Sequence, residues 1–279
     1  MPFAYRTPRR LMGALLAATL GLAAATPSAA QGDLLIAPTR LILDGRRGGE
    51  VILSNVGNEE ATYRVTLELR RMTVEGKLEE VDESQASVSE KAALEMIRYA
   101  PRRVTLPPDE PQAIRITARP GPELPDGEYR VHMSFAAIPK VQPVVSAPQE
   151  VGDGVAINLI PIYGITMPII VRKGELQVIA GLANPRLQQG PEGPEFAVDV
   201  SRGGPASVYG DVLVYRQGQT EPLFVARGIG VYPEVPERHA VFSIPAEQAA
   251  AMRGPVRVEL REALQSGGGL ITAVDAVLQ

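Results

Sequence analysis

One stretch constrains this chain more than any other. Ala156 to Arg172 reads as a long strand that is apolar on both faces, in a chain that otherwise alternates cleanly. A strand buried on one side only should alternate apolar and polar residues, so the second face here needs a cover. Pro161 and Pro168 cannot donate ladder hydrogen bonds, which points to an edge rather than a central position. An apolar edge open to water invites pairing with another chain. Such a strand makes sense if a partner is meant to add to it, and in the free protein it would also invite self-association.

The first thirty residues read as an address label and not as part of the fold. Arg6, Arg9 and Arg10 form a positive region, Leu11 to Ala25 is apolar, and Ser28-Ala29-Ala30 suits signal peptidase, with cleavage before Gln31. Arg9-Arg10 also suggests twin-arginine export, but the surrounding residues fit that signal poorly. No later segment reaches the roughly twenty apolar residues of a membrane span. The expected product is an exported protein that does not span the membrane. Its length suits two domains at roughly 100–200 residues each. Cysteine is absent, so no disulfide frame holds the fold, although an exported compartment would permit one. A net charge of −4 argues against nucleic acid as a partner.

Short alternating runs recur between Gly, Pro, Asn and Asp. Tyr63, Val65, Leu67 and Leu69 form one; Tyr129, Val131, Met133 and Phe135 another; Ile114 and Ile116 flank Arg115. This spacing predicts antiparallel β-sandwich architecture. Helix is expected only around Ala246–Met252 after Pro245, and as a short helix or strand over Glu90–Ile97. A boundary falls at Arg172-Lys173-Gly174, after which Leu176, Val178 and Ala180 open a second set of strands and a smaller sandwich. The expected segments are thus a leader (1–30), a first domain (31–173) and a second (174–279). Glu75–Glu90, acidic and Ser-rich, and Pro139–Gly154, Pro-rich, read as loops. Ser266-Gly267-Gly268-Gly269 reads as the turn before the last strand.

No catalytic set emerges, and the chain is not expected to be an enzyme. It has no thiol and no G-x-S-x-G elbow, and its two histidines, His132 and His239, stand apart in sequence. A zinc or copper site needs three or four ligands, which His132 with Met133 does not supply, so no metal and no cofactor are expected. Arg40, inside the apolar run Leu34–Leu43, is either a surface arginine or a planar fork of donors awaiting a carboxylate. Arg172 either faces water or ties the domains together through an acid such as Glu128.

Together these segments resemble a family. Ala37-Pro-Thr-Arg-Leu-Ile-Leu-Asp-Gly45 followed by Val51-Ile-Leu-Ser-Asn-Val56 is similar to the first two strands of the PapD-type periplasmic pilus chaperones. Tyr99–Pro108, Gln112-Ala-Ile-Arg115 and Leu124–His132 resemble later signatures of the same domain, and the strand ending in Arg172 resembles the family's subunit-binding strand. The resemblance covers residues 34–279 and is strong through 172. It implies two immunoglobulin-like β-sandwich domains set at an angle. It implies a periplasmic chaperone that lends a β-strand to incomplete pilus or fimbrial subunits and delivers them to an outer-membrane usher. Arg40 matches the anchor for the subunit's carboxylate, and Glu128 with Arg172 the interdomain charge pair, with Glu262 a candidate third member. The donor edge would present either Ile157, Leu159, Pro161 and Tyr163 or, on the other parity, Ile160, Ile162 and Gly164. The family alignment favours the first set, and a one-residue slip would exchange them. One departure stands out: the family's cleft lysine would fall near Pro168, leaving Arg172, Lys173 or Arg130 to replace it. The insertion at 75–90 and the phrase Ile165–Val171 suggest a divergent or archaic branch. Two other classes fit the same composition, a structural or adhesive secreted β-sandwich protein and a periplasmic metal-handling protein.

Overall fold

A computed structural model describes residues 34–139 and 163–279. The expected leader, the expected Pro139–Gly154 loop except its first residue, and Ile157, Leu159, Ile160 and Ile162 of the expected donor edge lie outside the described residues. The fold is all-β. In chain order the first ten strands are β1 (Leu34–Ala37), β2 (Leu41–Leu43), β3 (Gly49–Asn55), β4 (Ala61–Met72), β5 (Leu78–Val81), β6 (Ile97–Ala100), β7 (Arg103–Leu106), β8 (Pro111–Ala118), β9 (Gly127–Ile138) and β10 (Gly164–Lys173). They form two facing sheets, ordered β1-β3-β8-β6 and β2-β10-β9-β4-β5, with β7 also on β4. A second sandwich follows from β11 (Ile179–Gly190), β12 (Gly193–Gly203), β13 (Val208–Arg216), β14 (Pro222–Val231), β15 (Glu237–Ser243), β16 (Gly254–Arg261) and β17 (Leu270–Leu278). Its sheets are ordered β11-β12-β15 and β14-β13-β16-β17.

Period-2 alternation decides which residues enter each core. Tyr129, Val131, Met133 and Phe135 on β9 point into the first core with Met167, Ile169 and Val171 on β10. In the second core Phe196, Phe224 and Phe242 pack with ring centroids 5.3 to 6.3 Å apart. The two cores meet at the sheet containing β10. Ile170, fully buried, belongs to the second core, as does Met72 at the end of β4. This is the cover that the doubly apolar strand required: its odd residues fill one sandwich, and Ile170 on its even face reaches the other.

The expectation of an edge strand needs correction along part of β10. Residues Ile169–Val171 are central, paired to β9 on one side and, in parallel, to Leu41–Leu43 of β2 on the other. Gly164–Pro168 before this stretch, and Arg172 and Lys173 after it, have a single partner, β9. Pro168 is the last residue before the strand acquires its second neighbour, so its missing N–H interrupts no ladder. Gly174, at φ +79°, ends β10 with a turn in which an added Cβ would lie 2.3 Å from the Asp126 carboxyl.

The 75–90 segment is folded rather than loose. It forms β5, a single 3₁₀ turn at Glu83–Gln85, and the start of α1 (Val88–Met96). Ser87 and Glu90 close a capping box there, and Arg71 holds the Glu90 carboxylate at 2.7 Å. Acidic and serine content at these positions is capping chemistry, which composition alone reads as loop. The expected helix at Ala246–Met252 is present as α2.

Candidate functional site

Arg40 lies in the bend between β1 and β2, where the chain passes from one sheet of the first sandwich to the other. Pro38 carries no N–H, so the β1 ladder cannot run on through it, and the bend turns Arg40 toward the second sandwich. There its Nη2 donates to Ser207 Oγ at 2.9 Å, and its guanidinium carbon sits 4.3 Å above the Tyr209 ring and 5.9 Å from that of Tyr232. Its Nε and Nη1 are buried without partners. Burial pulls its pKa down from the ordinary value, opposed by Tyr232 and Glu128; an arginine stays charged regardless.

Glu128, at the start of β9, is directly opposite Arg172 on β10. Its side chain is 0 % exposed. Oε2 accepts from Arg172 Nε at 3.2 Å, from the Ser207 amide at 3.1 Å and from Ser207 Oγ at 2.9 Å. Arg172 also donates from Nη2 to the Ser207 carbonyl at 3.4 Å, and remains one-third exposed. Arg40 and Arg172, together with Ser207 and Tyr209, line a cavity of about 800 Å³ between the sandwiches, walled by Ile36, Ile42, Val178, Val208 and Ile271.

Glu262 lines the same cavity but joins no ion pair among the described residues. Its carboxylate lies over the Gly267–Gly269 turn. The residue that completes the interdomain pair is therefore Ser207, which sequence reading passed over. Nothing distinguishes a serine after Pro205-Ala206 from any loop serine until the second sandwich is docked. Tyr209 and Tyr232 escaped notice for the same reason.

The three expected replacements for the family's lysine part company. Lys173 is committed to the carbonyls of Gly121, Pro122 and Leu124. Arg130, 8 % exposed in its side chain, donates to the Arg70 carbonyl at 2.8 Å and pairs with Glu234, its guanidinium 3.6 Å over Tyr232. Arg172 alone faces the cavity beside Arg40. Pro168 stands opposite His132 on β9. That histidine is packed inside with both ring nitrogens unpartnered, and its pKa is pushed down to about 3, chiefly by burial and then by Arg130 and Arg70.

His239, which stands alone in sequence, is not alone in the fold. It faces Asp199 across β12 and β15, with Nδ1 2.9 Å from Oδ1, and Glu237 lies 3.7 Å away. Asn184 takes the other Asp199 oxygen at 2.8 Å and Arg186 approaches to 3.6 Å. Those neighbours already satisfy the carboxylate, and the guanidinium opposes a second cation there. Tyr163, the one described member of the first donor parity, is about half exposed, as is Ile165 two residues on at 40 %.

No protein-family model and no curated protein matches the sequence. Solved structures do match. The Pseudomonas aeruginosa CupB2 chaperone is 15% identical with a TM-score of 0.45, over 88% of this chain and 100% of that one. The Escherichia coli chaperone DraB is 16% identical with a TM-score of 0.44, over 88% and 96%. The complex of CsuC with the tip subunit CsuE, from the archaic chaperone-usher Csu pili of Acinetobacter baumannii, gives 11%, 0.44, 88% and 98%.

Proposed function

We propose that this chain is a periplasmic chaperone that captures pilus or fimbrial subunits lacking a strand, lends them the edge of β10, and passes them to an outer-membrane usher. The observation that carries the reading is where the open edge ends. β2 runs parallel to β10 and pairs with it only from Leu41 opposite Ile169. The same side of Gly164–Pro168 is free among the described residues. A guest strand lying there collinear with β2, and parallel to β10, would end where β2 begins. Arg40 is the residue immediately before Leu41. A chain terminus would thus meet Arg40, and Arg172 beside it, across the cavity.

The charge balance favours a carboxylate. Arg172 pairs with the one buried acid, Glu128, while the cavity's other acid, Glu262, lies over the Gly267–Gly269 turn on the rim, so Arg40 has no ion-pair partner among the described residues and is left for an incoming anion. An Arg–carboxylate contact is among the stronger hydrogen-bonded pairs. The guest's backbone would add about 0.5–1.5 kcal/mol per net hydrogen bond, and its apolar side chains would meet Ile165 and Tyr163. These two share the parity of Met167, which supports the first donor set, Ile157, Leu159 and Tyr163, over Ile160 and Ile162. A free edge of this kind is the geometry of strand addition.

The test is co-expression with the small secreted β-sandwich subunits encoded in neighbouring reading frames. The wild type should co-purify with a subunit, and Arg40→Ala should keep its melting temperature while losing at least tenfold of the bound subunit. A folded Arg40→Ala protein that carries wild-type amounts of subunit would refute the anchoring role; the absence of any captured subunit would refute the chaperone reading.

A further inference from the structure

We infer that Ser207 is the positioning residue of the cleft: a single serine of the second sandwich that orients both cations of the first, so that the carboxylate site exists only when the two sandwiches are docked. The ligand named here rests on the chaperone reading above; the positioning itself does not.

Every polar group of Ser207 is spent on this task. Its amide and its hydroxyl both donate to Glu128 Oε2, at 3.1 and 2.9 Å. Its hydroxyl accepts from Arg40 Nη2 at 2.9 Å, and its carbonyl accepts from Arg172 Nη2 at 3.4 Å. The direction of each bond is forced. A guanidinium only donates and a carboxylate only accepts, so the single hydroxyl proton must point to Glu128, leaving the oxygen lone pairs for Arg40. The residue is 3 % exposed, so water cannot substitute for it readily.

Removing the hydroxyl acts unequally on its neighbours. Glu128 keeps the Ser207 amide and Arg172, and Arg172 keeps the Ser207 carbonyl and Glu128. Arg40 has no other hydrogen bond to lose among the described residues: its Nε and Nη1 are unpartnered, and what remains is the face of Tyr209 at 4.3 Å and the more distant ring of Tyr232 at 5.9 Å. A ring face holds a cation near itself but does not fix rotation about the axis through the ring. Arg40 should therefore stay in the cleft and lose its aim.

Two measurements on the full-length chain separate aim from packing. The first is nitrogen-15 NMR of the Arg40 side chain in the free protein. Rotation about its Nε–Cζ bond should be slow in the wild type and in Ser207→Thr, which keeps the hydroxyl, and at least tenfold faster in Ser207→Ala. Ser207→Cys fills the same space with a poor acceptor and should behave like alanine if the alanine variant proves too unstable to study. Unchanged rotation in both alanine and cysteine variants would overturn the assignment. The second is binding of a short synthetic peptide of alternating valine and threonine, as the free acid and as the C-terminal amide. The wild type should prefer the acid, and Ser207→Ala should lose about tenfold of that preference. A preference kept in full by Ser207→Ala would overturn the role in ligand capture. Equal binding of acid and amide by the wild type, with Arg40 still fixed by Ser207, would overturn the carboxylate reading and leave the positioning standing.

Discussion

Two charged clusters join the sandwiches, and they are built on opposite plans. In the inner cluster Arg130 meets Glu234 one to one, the Glu234 carboxylate also takes the Met72 amide at 2.7 Å, and Tyr232 covers the guanidinium face. It is neutral, with Arg130 8 % and Glu234 24 % exposed. In the cleft cluster Arg172 pairs with Glu128, Arg40 reaches that acid only through Ser207, Arg172 is a third exposed, and the cavity lies open beside them. The first arrangement has its charge balanced, although Arg130 Nε and Nη1 have no partner, and it has everything to lose if broken. The second is left incomplete as it stands. The difference teaches how to tell a staple from a site: not by counting charges at an interface, but by asking whether each charge is balanced and whether room is left next to it.

Breaking the staple should have the largest effect. Arg130→Ala removes the partner of Glu234, the donor to the Arg70 carbonyl and the cover of Tyr232. Breaking a buried pair from one side costs about 3–5 kcal/mol. The low end applies here because Glu234 is 24 % exposed. Denaturant unfolding should show a loss of about 3 kcal/mol.

The next effect is read in pH. His132 shares the sheet face of Arg130 and the even residues of β10, opposite Pro168 and Glu68. Its pKa falls from 6.5 to about 3 in the fold, so below its ordinary value the unfolded chain takes up a proton that the folded chain refuses. Stability from this group is complete above about pH 6.5 and declines as pH falls toward 3. The decline approaches about 1.4 kcal/mol per pH unit once the unfolded form is fully protonated. Unfolding at pH 7 and pH 5 should show a wild-type loss that His132→Leu lacks; equal losses in both would place the burden on other groups.

Arg172→Ala should cost less, about 1–3 kcal/mol: it takes the charged partner from Glu128, whose side chain is 0 % exposed, but both Ser207 donors stay on that carboxylate. If the cleft cluster is a site and not a staple, this smaller change in stability should come with a large fall in subunit capture, the reverse of the Arg130→Ala pattern.

Much of the architecture was legible because period-2 alternation leaves little choice: β4, β8 and β9 follow from it, and so does the need for a second cover over β10. The strand's central half was not legible, because a three-residue parallel partner such as β2 leaves no pattern of its own. The 75–90 segment misled because capping residues and loop residues are the same residues. At the site, Arg40 stood out inside an apolar run and Arg172 at the end of one, and Glu128 was reached as the acid that could pair with Arg172 and through the family resemblance. Ser207 and Tyr209 did not, since a neutral residue acquires its role only from what the fold places beside it. His132 and His239 show the limit of reading isolation from sequence spacing: one is sealed alone in the interior, the other pairs with Asp199 from a neighbouring strand.

The smallest predicted effect is the sharpest check on which residue completes the cleft. Glu262 lines the cavity, yet its carboxylate rests over the Gly267–Gly269 turn and reaches neither arginine. Replacing an exposed, unpaired acid usually changes stability by no more than about 0.5 kcal/mol, and Glu262→Gln should do just that. Its effect on capture should be opposite in sign to that of Arg40→Ala. If the cleft takes a carboxylate as proposed, removing a negative charge from its rim lessens repulsion, so binding of a free-acid guest should tighten slightly, most visibly at low salt where exposed charges are least screened. If instead Glu262→Gln loosens the sandwiches as much as a change at Glu128 does, the third member of the interdomain network is the acid after all, and Ser207 is only its neighbour.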